Sequence, residues 1–362
     1  MECVVSVDIG SGLGAKIGVF DLSGELLAEG LFPVGEYGKA PAAFADGLAL
    51  RVRETVKSVP GCEPSGIGVA CPGLFAADGT ALVVANLPFL AGSGPADLVA
   101  ERLGIPAWLI NDAAAGGMAE WRMARHELVY WVLGGGWGGT WMDAGGGQRI
   151  PSMGWSGRLE DLNCVNEPGF VIKLFKSELE PILRVNSLTW GGLAPELPPG
   201  AVNRDPDGGE SWLRAETVTA SCLALRRLFA ACCRSRRGNT GIFGENDRRA
   251  EDYDENLLRL VESGFEPAVR TVEIFLETWA LAVEKYYALS APLGMDQSIP
   301  VHLAGGLSHM SDGFLPGLLE KLRGRGLTPP LRVSQGRDQG KNANLLGAAS
   351  LAIRGLDQAA GA

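Results

Sequence analysis

The chain has 362 residues, 46% of them hydrophobic and 20% charged, with a formal net charge of −10; length and balance suit a globular protein of two domains. The negative excess argues against a nucleic-acid footprint, and the absence of any run of about 18 uncharged apolar residues argues against a membrane span. Seven scattered cysteines without a C-x-x-C pair and only three histidines argue against a zinc site and for a reducing, cytoplasmic setting.

Residues 4–30 read as strand, glycine-rich turn, strand, polar turn, strand. Val4, Val5 and Val7 are β-branched residues of a buried strand that ends at Asp8. Gly10, Gly12 and Gly14 remove Cβ atoms where a backbone can close around a phosphate, with Ser11 among them. A carboxylate beside such a turn suits a Mg²⁺–nucleotide site. The segment Gly10 to Ala15 also fits the dinucleotide fingerprint G-x-G-x-x-G/A. That fingerprint needs a helix opening inside the turn, whereas Ile17, Val19 and the Ser23-Gly24 turn continue as strand. A hairpin is therefore favoured, either as a phosphate loop or as an empty turn. Acidic Glu2 leading straight into the strand is unlike a signal peptide.

Further along, Phe44, Leu48, Val52 and Val56 predict a helix over 40–59. A strand over 66–71 ends in Pro72-Gly73, a helix covers 95–103, and a strand over 107–110 runs into Asn111-Asp112. A small-residue helix over 113–121 and a strand over 128–133 lead into the glycine cluster 134–139. Residues 191–209 read as a Pro/Gly/Asp-rich connector, 211–234 as one helix with a basic C-terminal end, and 236–254 as a charged, solvated loop. The neighbours Cys232 and Cys233 read as inert packing. A long amphipathic helix over 266–291 would bury Val269, Val272, Phe275, Leu276, Trp279 and Val283 along one stripe. A strand over 299–303 ends in Ala304-Gly305-Gly306-Leu307-Ser308. Helix 313–322, strand 331–333 and a closing helix 344–354 follow. The recurring strand and glycine turn predict two α/β domains with a nucleotide in the cleft between them.

Three places bear on chemistry. Asp112, at a strand's C-terminal end, can accept a hydroxyl proton as that hydroxyl attacks a γ-phosphate; it can equally serve as the N-cap of the helix that follows. Gly135 and Gly136 can offer backbone N–H groups to phosphate oxygens, while Gly305 and Gly306 can lie flat against an adenosine. Each glycine turn taken singly is also explained as a plain turn.

In this order the motifs resemble the ROK (repressor, ORF, kinase) sugar kinases of the acetate kinase–sugar kinase–heat-shock ATPase–actin superfamily. Asp8-Ile-Gly-Ser-Gly12 resembles the family's first phosphate loop. Val69-Ala-Cys-Pro-Gly73 is similar to its G-x-P-G turn, and Asn86-Leu-Pro88 to its N-L-P segment. Asn111-Asp112-Ala113 with Ala119-Glu120 resembles its N-D-A…A-E segment, and Leu133 to Gly139 its second phosphate loop. Residues 304–308 resemble its adenosine motif, and Leu346-Gly347-Ala348-Ala349 its closing helix. The likeness covers about residues 4–160 and 265–354.

The resemblance implies two actin/hexokinase-like (ribonuclease H-like) α/β lobes, divided near 1–120 and 121–362, the closing helix packing back on the first. It implies ATP and Mg²⁺ as cofactors, Asp112 as general base and Asp8 as the carboxylate that orients the metal. It further implies Asn86 and Asn111 as sugar contacts, with lobe closure that excludes water. The sequence departs from the family in a first loop one residue longer and without its threonine, and in Gly135 where the family carries Thr. It also lacks the G-E-x-G-H motif and the cysteine cluster that holds zinc, so no structural zinc is expected. Glu160 or Glu167 is the candidate replacement for the missing sugar contact. The expected partner is a small sugar, without nucleic acid or membrane, and a homodimer stays open. A non-catalytic sugar- or nucleotide-binding regulator on the same scaffold is the alternative; the repressors' usual helix-turn-helix does not precede the first strand.

Overall fold

The first 33 residues form an antiparallel meander of β1 (Glu2–Ile9), β2 (Gly14–Asp21) and β3 (Leu26–Pro33). From Cys3 to Ile9 every residue of β1 is buried, Ser6 and Asp8 included, as suits a central strand covered on both faces. β3 alternates between half-buried and exposed residues over most of its length and forms the sheet edge. α1 (Pro41–Lys57) starts with proline in its first turn and buries Phe44, Leu48 and Val52. It leads to β4 (Glu63–Cys71), which adds parallel to β1. A small hairpin, β5 (Leu74–Phe75) with β6 (Ala81–Val83), precedes α2 (Pro95–Leu103), which ends at left-handed Gly104. β7 (Ala107–Asn111) then pairs parallel with β4, and α3 (Asp112–Ala124) begins at the next residue. The sheet order is β3-β2-β1-β4-β7.

The structure, a computed structural model, describes residues 1–10, 13–38, 40–84, 87–151, 153, 158–204, 209–235, 250–307, 311–335 and 342–361. Ser11, Gly12, Asn86 and Ser308, named above, lie outside the described residues, as does 236–249. The chain forms two compact units. The first comprises Met1–Tyr130, Thr140–Leu162 and Gln335–Ala362; the second comprises Trp131–Gly139 and Asn163–Ser334.

β8 (Leu128–Leu133) and β9 (Trp137–Met142) flank the glycine cluster. α4 (Leu159–Asn166), α5 (Pro168–Val171), β10 (Lys173–Phe175), α6 (Lys176–Val185) and α7 (Trp190–Leu193) follow. Next come β11 (Asn203–Arg204), β12 (Ser211–Arg214), α8 (Ala215–Val218) and α9 (Cys222–Ser235). α10 (Ala250–Glu262), α11 (Glu266–Ser290), β13 (Val301–Ala304), α12 (Ser311–Gly324) and β14 (Leu331–Val333) complete this part. One sheet runs β14-β13-β8-β9 and another β10-β12-β11. The last helix, α13 (Ala343–Ala360), belongs to the first unit. There Leu345, Leu346, Ala349 and Ala352 pack with Val4, Phe20 and Ala119 on one face of the sheet. Phe44, Leu48 and Val52 pack with Val5, Val7, Ile67 and Val69 on the other.

Four expectations are corrected. Residues 211–234 are not one helix: β12 and α8 come first, Ala220 adopts a left-handed φ of 54°, and α9 starts at Cys222. The β-branched run Thr217-Val218-Thr219 breaks the helical pattern. The segment 236–254 is not a loop throughout, because α10 begins at Ala250. On α11, Val269 is exposed and Val272 only half-buried, while Ile274, Phe275, Trp279 and Val283 are buried. Finally, Cys3 and Cys62 form a disulfide across a separation of 59 residues, against the expectation of reduced cysteines. Tertiary folding brings β1 beside the start of β4, which linear spacing does not disclose. Replacing both cysteines by serine is expected to lower unfolding stability by up to about 4 kcal/mol, the loop-entropy value for such a closure, measurable by urea titration. Among the described residues, no helix is long and apolar enough to cross a membrane.

Candidate active site

The first unit brings two carboxylates to one end of its parallel strands. Asp8 lies near the end of β1 beside Ala70 of β4, and Ala70 lies beside Ile110 of β7. Asp112 follows two residues later. Two inter-strand steps separate the two strands by roughly 10 Å, with Cys71 of β4 between them. Asp8 is buried. Burial raises its pKa, against the Asn344 Nδ2 hydrogen bond (3.2 Å to Oδ1) and the charge of Lys16, which faces it across the β1–β2 pair.

Asp112 is not the N-cap of α3. That role falls to Asn111, whose Oδ1 accepts from the Ala114 N–H at 3.2 Å and whose Nδ2 donates to the Gly73 carbonyl at 3.1 Å. Asn111 is itself buried, so a sugar contact from it would have to use the remaining N–H of its amide. Asp112 is left at the first helical position with one oxygen accepting from the Ala113 N–H at 2.9 Å. It is half-buried, and desolvation, with the charge of Asp8 second, lifts its pKa to about 6. A carboxylate tuned there is ionised at neutral pH yet still basic enough to take a proton. Burial and the same two charges raise the Cys71 thiol, which keeps it protonated and unreactive.

Four further groups join this end of the first unit. Asn344 holds Asp8, Lys16 faces it, and the Tyr37 hydroxyl donates to the Gly10 carbonyl at 2.9 Å. Asn342 caps α13 through Oδ1, and its side chain also acts on Asp8, lowering the Asp8 pKa against burial. The spacing of Asp8 and Lys16 around a hairpin, and the Asn-x-Asn cap before the closing helix, are the signals that could have found them. A Cβ on Gly10 would meet the Gly14 carbonyl at 2.9 Å, so this turn needs its glycine for close backbone approach.

In the second unit, three segments converge. The Gly134 N–H donates to the Gly136 carbonyl at 3.0 Å, closing the β8–β9 turn, and nothing lies within 4 Å of where Cβ atoms would stand on Gly134 or Gly135. The Cys222 N–H, at the start of α9, donates to the Gly134 carbonyl at 3.1 Å, and Ser221 Oγ caps that helix through the Ala224 N–H at 3.0 Å. Gly305 has a φ of 88° and sits against Leu133, while Gly306 faces the Cys222 thiol. The amino end of a 14-residue helix therefore adjoins both glycine turns, an arrangement suited to anions. Reading 211–234 as one helix had concealed that end. Glu216, half-buried beside Gly136, has its pKa raised by burial.

The two candidate sugar acids fall apart. Glu160 is exposed on the first turn of α4, and Glu167 is half-buried ahead of α5 in the other unit. Among the described residues, no three His, Cys, Asp or Glu side chains form a group that could hold a metal ion.

No family model and no curated protein sequence matches the chain. Solved structures do. A ROK hexokinase from Thermus thermophilus aligns over 98% of this chain and 99% of its own, with 23% identity and a TM-score of 0.65. A ROK family glucokinase from Streptomyces griseus, in complex with glucose and AMPPNP, aligns over 97% and 99%, with 19% identity and a TM-score of 0.62. A ROK family transcriptional regulator, a homologue of the E. coli MLC protein, aligns over 96% of this chain and 77% of its own, with 15% identity and a TM-score of 0.65. The chain has the actin/hexokinase-like α/β fold of these proteins.

Proposed function

We propose that the protein is an ATP-dependent kinase of a sugar or amino-sugar hydroxyl, related to the ROK kinases. The observation that carries this reading is Asp112, freed from capping duty by Asn111 and tuned to a pKa of about 6 near a second buried carboxylate. In the proposed reaction Asp112 accepts the hydroxyl proton as the oxygen attacks the γ-phosphate, and the Ala113 N–H keeps its carboxylate oriented. Asp8 suits the one or two carboxylates that a nucleotide-bound Mg²⁺ takes, and Asn344 fixes its rotamer. When bound, Mg²⁺–ATP supplies the phosphoryl group and neutralises the charge on its oxygens. The open backbone of Gly134 and Gly135, the start of α9 and the Gly305-Gly306 turn fit phosphates and adenosine. Asn86 and one of Glu160 or Glu167 complete the proposed set as sugar contacts.

The test is ADP release across a panel of hexoses and N-acetylhexosamines with MgATP. The expected result is turnover on at least one sugar, with kcat falling tenfold per pH unit below about pH 6 as Asp112 takes up its proton. Gly135 in place of the family's threonine, together with the likeness to a transcriptional regulator, supports the second reading, a sugar-binding regulator. Thermal stabilisation by sugar and ATP with no ADP release for any sugar would favour that reading.

A further inference from the structure

The chain carries ten more acidic than basic charges, yet three arginines converge on one cavity in the first unit. Arg122 sits in the last turn of α3, Arg125 is its left-handed C-cap with φ 56°, and Arg354 faces them from α13. Trp121, Ser350 and Asp357 complete the polar and aromatic part of the wall; the cavity is a cleft open to solvent, with Arg125, Arg354 and Asp357 exposed on it, and measures about 270 Å³.

Among the described residues, every polar partner of these guanidinium groups is neutral. Arg122 donates to Ser350 Oγ at 3.0 Å and to the Ser23 carbonyl; Arg354 donates to the Gly146 carbonyl at 3.2 Å. Arg125 stacks over the Trp121 ring at 5.1 Å. Among the described residues none of the three makes an ion pair, not even with Asp357 on the same wall. A helix C-terminus accounts for about half a charge of attraction, far short of three guanidinium groups. Each arginine has five N–H donors, so most of them stay available after the contacts named. The backbone contacts of Arg122 and Arg354 and the ring contact of Arg125 pre-orient all three groups, as anion recognition requires.

We propose that this cavity binds a small organic phosphate monoester. Two facing arginine-bearing helices suit the dianionic head, and the apolar side chains of Met118 and Ile353 on the wall suit a short carbon body. The volume lies just below the roughly 300–1,000 Å³ of drug-sized sites, which favours a triose or hexose phosphate over a nucleotide. The site does not depend on the kinase reading. It lies toward the C-terminal half of the α3–α13 pair, whose opposite ends carry Asp112 and Asn344; Trp121 and Arg354 stand about 14–15 Å along their helices from those residues.

The experiment is isothermal titration of the full chain with glycerol 3-phosphate, glucose 6-phosphate and inorganic phosphate, each as its sodium salt. The expected result is saturable binding of at least one phosphate ester, tighter than inorganic phosphate. Affinity should weaken about tenfold or more in both Arg125→Asn, which suits a left-handed backbone, and Arg354→Gln. Circular dichroism and an unchanged melting temperature establish that the variants fold. Equal affinity for inorganic phosphate would reduce the site to a non-selective anion hole and overturn the ester assignment. No saturable binding to the wild type, or affinity unchanged in both folded variants, would overturn the site itself.

Discussion

Asp112→Asn is expected to abolish phosphoryl transfer and, at the same time, to raise the melting temperature at pH 8. The first effect follows from losing the only group proposed to take the proton; removing such a base reduces rates by about 10²–10⁴. Nucleotide binding, proposed to rest on the second unit's backbone turns, should persist in calorimetric titration. The second effect follows from the sign of the pKa shift. The folded protein holds the Asp112 proton to about pH 6, above the ordinary value of 3.8. The native state therefore binds the proton more tightly than the unfolded chain does. The resulting stabilisation is complete below pH 3.8 and is lost as pH rises through 6, a change of up to about 3 kcal/mol. Asparagine carries no charge to desolvate, so the variant should escape that loss at pH 8 and gain nothing at pH 3. A variant with full turnover would sink the base assignment. A melting temperature lowered at pH 8 would contradict the desolvation argument while leaving the kinetic one intact.

Gly347→Ala should destabilise the first unit by about 3 kcal/mol or prevent its folding. In most helices this exchange helps by nearly 1 kcal/mol. Here a Cβ would overlap the Ala115 carbonyl of α3, because α13 and α3 touch backbone to backbone at this point. Gly68 of β4 meets the Ala348 carbonyl in the same way, so the helix cannot retreat from one neighbour without leaving the other. Gly324→Ala, at the end of α12 with open space around it, is the matched control and should be neutral. Denaturant midpoints of the two variants read the difference directly. Since the same packing sets Asn344 against Asp8, a folded Gly347 variant should also lose turnover.

Elements with strong local signals were legible without coordinates. The valine run of β1, the helix over 95–103, the strand over 128–133 and the strand over 331–333 emerge within a residue or two of their prediction. Local pattern failed where the outcome depends on partners distant in sequence. Ser211 to Arg214 is a strand because β10 and β11 offer it edges, although its residues also extend the helical pattern that follows. Val269 lies on the expected stripe of α11, yet neighbours bury a rotated set centred on Ile274 and Phe275. The pairing of Cys3 with Cys62 likewise depends on β4 lying beside β1.

For the candidate site the division is similar. The sequence by itself determined which groups are candidates for chemistry: Asp8 and Asp112 at or just past strand ends, and glycines where backbone must come close, because those properties belong to residue type and local periodicity. Only the tertiary structure decided that Asn111 rather than Asp112 caps α3. It alone put Asn344, 336 residues away in sequence, on Asp8, and raised Asp112 to a pKa of about 6. Capping geometry, long-range hydrogen bonds and desolvation all depend on which surfaces meet, and no local pattern in the chain encodes that.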